Sequence, residues 1–119
     1  MSYLAFKLLH LIGIFIVLMG LGAQIALSGH RERSAVHKLA GLCHGLGLLI
    51  VLFGGFGLLV SLMVPWPWPG WLLAKLLIWL LIGSLLVFVR RNSALAHLWW
   101  WGVVALSAAA GYLALFKPF

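Results

Sequence analysis

Aspartate is absent from these 119 residues, and glutamate occurs once, as Glu32. A carboxylate proton relay and a carboxylate metal site both need more acid than that, so neither is available. Small exporters that couple to protons through an intramembrane glutamate are set aside for the same reason, because Glu32 falls in a predicted loop. Cysteine is nearly missing too. Cys43 stands alone, which excludes an intramolecular disulfide and any thiol–quinone enzyme with paired cysteines. Charged residues make up 8% of the chain, too few to cover an ordinary soluble domain.

Hydrophobic residues fill the space, at 66% of the sequence. Apolar runs span residues 3–28, 36–64, 71–89 and 94–116, each near or above the ~20 residues that a helix needs to cross about 30 Å of hydrocarbon. The first run is longer than a typical signal-peptide core and has only Lys7 as an early basic residue, so it is read as a retained helix. Four crossings joined by short loops predict an all-α integral membrane protein, an up-down-up-down four-helix transmembrane bundle forming one domain over residues 1–119. The lipid bilayer is then its main partner.

The net charge of +7 would suggest nucleic acid in a soluble chain, but these cations sit at helix ends and no soluble surface is left for a groove. They report topology. Five bases (Arg31, Arg33, Lys38, Arg90 and Arg91) flank the first and third loops, against Lys7, Lys75 and Lys117 on the other side. The positive-inside rule therefore puts both termini outside. Trp66, Trp68 and Trp71 belong at the outer lipid–water boundary and Trp99, Trp100 and Trp101 at the inner one, where a ring can bury its face and keep its N–H wet. Because lipid gives helices no hydrophobic reward for associating, packing is expected to use small residues: the Gly41/Gly45 pair, Gly54, Gly55 and Gly57, and the run Ala105, Ala108, Ala109 and Gly111.

Polar groups inside such helices are costly and are the natural site candidates. At 100° per residue, His10 and Gln24 lie about 40° apart on the first helix, and His37, Gly41, His44, Leu48 and Gly55 fall within about 60° on the second. Each stripe is expected to face the bundle interior, since an imidazole facing lipid leaves its N–H unsatisfied. Depth divides the candidates into two groups. His10 lies about 10 Å and Lys75 about 6 Å from the outer ends of their helices, so the two can meet as a catalytic pair with a proton-transfer role or with an anion held between them. His44 lies about 12 Å from the inner end of its helix, with His37 and His97 nearer that end, Gln24 approaching and Arg90 closing the rim. That group reads as a cofactor site for haem b or a porphyrin, with His44 and His97, and His10 in the outer half, as candidate iron ligands, His37 and His97 matching in depth better than His44 and His97, and Arg90 as a propionate partner. A structural reading stands beside each: interfacial histidines solvated by headgroups, a buried histidine bonded to a main-chain carbonyl, and Lys75 snorkelling to the outer interface.

His10 with Gly20-Leu21 ten residues on, and Gly70-Trp71-Leu72-Leu73-Ala74-Lys75-Leu76 opening the third helix, resemble the bacterial membrane protoporphyrinogen oxidase of the HemJ type and, more loosely, the CopD-like and SirB-like membrane proteins. Leu73 stands where the oxidase motif has a histidine. The resemblance implies a multi-pass protein of the bacterial inner membrane in which His10 and Lys75 are the functional pair and haem or a porphyrin is the ligand, with an oxidoreductase activity if the chain is an enzyme. The alternative expectation is a non-catalytic accessory subunit that packs through its glycine-rich faces against a larger membrane complex, or against further copies of itself.

Overall fold

The computed structural model of the chain describes residues 2–28 and 35–118; Arg31, Arg33 and Glu32, read above as loop residues, lie outside them. Helices α1 (Tyr3–Ala26), α2 (Ala35–Ser61), α3 (Gly70–Arg91) and α4 (Ala96–Phe116) follow one another, with a 3₁₀ turn at Ser93–Leu95 between the last two. All four are long and apolar enough to cross a membrane. The longest dimension of the molecule is 48 Å, against the ~40–45 Å of a bilayer with its headgroups.

Local chemistry fixes the ends. Ser2 caps α1 by accepting from the Ala5 N–H at 3.2 Å, and the Ser28 hydroxyl donates to the Ile25 carbonyl at 2.7 Å, satisfying one of the orphan groups at each terminus. Helix α2 stops at Ser61, three residues short of the expected 64. Met63 adopts a left-handed conformation (φ 55°), and the Val64 N–H folds back to the Leu59 carbonyl at 3.1 Å, a closure of the Schellman kind completed before Pro65. Helix α3 runs two residues past the expected 89, to Arg91, because its last-turn arginines complement the negative end of the helix dipole. The Trp99 indole N–H then donates to the Asn92 carbonyl at 3.1 Å, pinning the turn into α4.

Helices α1 and α2 make by far the most extensive pairing in the molecule. They run antiparallel along a seam in which each small residue meets main chain: a Cβ on Gly13 would sit 2.8 Å from Val51 N, on Gly47 2.9 Å from Val17 N, and on Gly54 2.8 Å from His10 N. The buried positions Gly13, Val17, Gly20 and Gln24 on α1, and Ala40, His44, Gly47 and Gly54 on α2, alternate in steps of three and four or their sums. That spacing is the repeat of a shallow, coiled-coil-like crossing. The expected Gly41/Gly45 pair is not the contact: Gly45 is exposed with nothing near it, and Gly41 faces Arg90 and Gln24 instead of a helix backbone. Gly111 is likewise open, and Ala105, Ala108 and Ala109 do not pack as a seam within the chain, all three being exposed.

The second hairpin is looser. A small apolar core of Leu21, Ile25, Leu85 and Val89, flanked by Ala96, Trp99 and Val103, joins α1, α3 and α4 near the inner end. Across the middle, the Trp79 indole N–H donates to the Leu48 carbonyl at 3.1 Å and holds α3 against α2.

Candidate functional site

The α1–α2 seam carries two polar stations. At the outer one, His10 Nδ1 lies 2.8 Å from the Val51 carbonyl oxygen. A carbonyl only accepts, so Nδ1 carries the hydrogen and Nε2 is left with its lone pair. The ring edge rests on Gly55, where a Cβ would stand 3.4 Å from Cε1, and the residue remains half-buried. Lys75 on α3 is close enough for its charge to act on His10.

At the inner station, Gln24 and His44 are 1% and 2% exposed, the two buried polar side chains of the described residues. Gln24 donates from Nε2 to the His37 carbonyl at 2.9 Å, while its Oε1 is buried without a partner. His44 Nε2 reaches toward the Gly83 carbonyl of α3 at 3.4 Å, a long and weak bond. The Val17 carbonyl also lies near the imidazole, without a hydrogen bond of acceptable geometry to Nδ1. Arg90 comes in from the end of α3: a Cβ on Gly41 would lie 3.0 Å from its Nη2 and 3.5 Å from Gln24 Nε2. Gln24, His37, His44 and Arg90 thus share one end of the bundle. His97, by contrast, is exposed in the first turn of α4.

The two stations are separate. His10 is level with Gly54 and His44 with Gly20, so they stand ten residues of α1 apart, about 15 Å along the axis, and one iron cannot be shared by His10 and His44. No group of three histidine, cysteine or acidic side chains that could hold a metal ion occurs among the described residues. The stations also differ in access. His44 is enclosed by α1, α2 and α3, and a macrocycle could reach it only by parting them. His10, half-buried, offers a fixed tautomer and a lone pair on Nε2.

A further cavity of about 300 Å³ lies between α1 and α4, lined mainly by Leu18, Gly22, Trp100, Val103 and Ser107. The sequence reading placed Trp71 at the outer boundary, counted Lys117 only as a topological charge and did not single out Trp79. The signal that could have singled out Lys117 is the spacing of Trp71 and Lys75 on one face of α3, opposite the end of an antiparallel α4.

Gln24 gives a direct measure of what the inner station holds. Leucine matches its volume and removes the orphaned Oε1, while the His37 carbonyl keeps its acceptance within α2. Gln24→Leu is therefore expected to change stability by less than about 1 kcal/mol, and Gln24→Ala, which leaves a void, to cost about 2 kcal/mol or more. Detergent unfolding followed by circular dichroism compares the two. A Gln24→Leu protein as unstable as Gln24→Ala would mean that Oε1 has a partner.

Compared with family models, with curated proteins and with solved structures, the chain finds no match in any of the three.

Proposed function

We propose that this chain is a four-pass protein of the bacterial inner membrane, with both termini outside, that binds haem b or a porphyrin through His10. The reading rests on the bond from His10 Nδ1 to the Val51 carbonyl. Ligating histidines commonly donate their other ring N–H to a main-chain carbonyl or carboxylate, which fixes the tautomer and aims the lone pair. His10 has that arrangement in a half-buried setting, with a cation beside it. Haem, when bound, supplies one-electron chemistry. The chain's own part is to orient Nε2, to exclude water with the α1–α2 seam and to offer Lys75 to an anionic group. The similarity of His10 and Lys75 to the functional pair of the HemJ-type oxidase points the same way.

The test is an absorption spectrum of protein purified in mild detergent, before and after addition of haem. A Soret band is expected in the wild type and in His44→Ala, and its loss in His10→Ala. A band that survives His10→Ala unchanged, or no band under any loading, would sink the reading.

A second reading, a non-catalytic accessory subunit, is favoured by one observation. A Cβ added at Gly102 or Gly111 on α4, or at Gly45 on α2, would meet no other part of the protein within 4 Å, and small open positions on membrane helices let a neighbouring backbone approach closely. A colourless, stable protein that co-purifies with a defined membrane complex would support it over haem binding.

A further inference from the structure

We propose that Lys117, laid over Trp71, joins Lys75 in a two-ammonium site for paired carboxylates at the outer rim of the His10 station, and that its ligand is an amphiphilic dicarboxylate such as the propionate edge of a porphyrin. This deepens the reading given above and rests on it. Trp71 and Lys75 are four residues apart on α3 and so share one face of it. Helix α4 arrives antiparallel at the same end. There Lys117 turns the chain through a left-handed conformation (φ 45°, ψ 60°), with its N–H bonded to the Leu113 carbonyl. That turn lays Nζ over the Trp71 ring, 5.2 Å from its centroid. The two lysines, on different helices, are thereby brought close enough for their charges to act on each other.

Like charges placed together repel, most strongly where the dielectric is low, and Lys75 is half-buried. No acidic side chain among the described residues offsets that repulsion. The single acidic residue of the sequence, Glu32, lies outside the described residues. His10, a further polar group of this end, already spends its Nδ1 hydrogen on Val51. Two ammonium groups supply up to six N–H donors and no acceptor, so the complement is a ligand rich in acceptor oxygens with two negative charges. Two cations on separate helices suit a molecule with two carboxylates better than one with a single charge. The flanking Trp71 ring and the apolar helix ends suit a ligand whose remaining surface is greasy.

The experiment titrates full-length protein in neutral detergent with metal-free protoporphyrin IX and, separately, with its dimethyl ester, following tryptophan quenching and porphyrin absorption. The wild type is expected to prefer the diacid by about tenfold or more. Lys75→Gln and Lys117→Gln should each lower that preference several-fold, the double variant should abolish it, and Lys117→Arg should keep it. Equal affinity for diacid and diester in the wild type, or an unchanged preference in the double variant, overturns the proposal. Raising the salt concentration on unaltered protein makes the same test without substitution, and a salt-independent preference counts against the site. Because the probe lacks iron, His10→Ala should retain the diacid preference, so a failure of iron ligation and a failure of the lysine site give different results. Phosphatidylglycerol in the micelle separates the two sources of an oxyanion. Persistence of the preference supports a bound dicarboxylate, whereas its loss assigns the lysines to lipid phosphate and overturns the proposal.

Discussion

Gly20→Leu is expected to part α1 from α2 and to leave a protein that unfolds at markedly lower denaturant. A Cβ at this position would stand 2.6 Å from the Ala40 carbonyl oxygen and 2.8 Å from the His44 nitrogen. These are main-chain atoms of a regular helix and cannot rotate away, so α2 as a whole must shift. In lipid the pairing has no hydrophobic driving force to absorb the strain, because the alternative surroundings are as apolar as the seam. Overpacking of this kind costs about 1–3 kcal/mol in soluble cores, and a leucine here, against two backbones, belongs at or above the upper end. Gly102→Ala and Gly111→Ala, with open space around each glycine, should stay within about 0.5 kcal/mol of the wild type. Gly57→Ala falls between, since its obstacle is the Phe6 ring, a side chain that can swing. Titration of the micelle with dodecyl sulfate, read by tryptophan fluorescence, ranks the four variants. A Gly20→Leu protein as resistant as Gly102→Ala would refute the seam.

Trp79→Ala combined with His44→Ala is expected to uncouple the second hairpin from the first while leaving each helix intact. Two side chains bridge α2 and α3 by hydrogen bonds: the Trp79 indole to the Leu48 carbonyl at 3.1 Å, and the His44 imidazole to the Gly83 carbonyl at 3.4 Å. Side-chain hydrogen bonds between membrane helices average about 0.6 kcal/mol and reach about 1.7, and the shorter, indole bond should carry most of the effect. Trp79→Phe keeps a ring and loses the donor, so it isolates the bond from the packing. Engineered cysteine pairs across α2 and α3, in a Cys43→Ser background, report the separation. Cross-linking should fall slightly in His44→Ala, more in Trp79→Ala and most in the double variant, while an α1–α2 pair cross-links as before. Undiminished α2–α3 cross-linking in the double variant would show that apolar contact alone holds the hairpins together.

The number, order and approximate ends of the helices were legible because a run of some twenty apolar residues has few alternatives and proline and charge mark its ends. The inward face of α1 was legible as well: His10 and Gln24, placed on one stripe by angle alone, both reach α2. The helical wheel of α2 was read less well. The Gly41/Gly45 pair, expected as a contact, is not one, and Gly47, which the seam uses beside the expected Gly54, went unmarked. In a soluble helix the polar side tells which way to rotate, but here lipid-facing and partner-facing positions have nearly the same composition, so the rotation is weakly marked. His97 shows the same limit. Counting residues along the axis put it level with His37, but depth does not fix azimuth, and in the structure it points out from α4. The early stop of α2 at Ser61 escaped notice because methionine is an unusual residue for a left-handed turn.

The uneven distribution of close contacts predicts an order of assembly during synthesis. Everything the α1–α2 seam needs is encoded before residue 62, so the two helices can zip together while the remainder of the chain is still in the ribosome. The later pair then settles against a finished platform, and α4, with the smallest buried share of the four, is the piece a neighbouring subunit could most readily draw away.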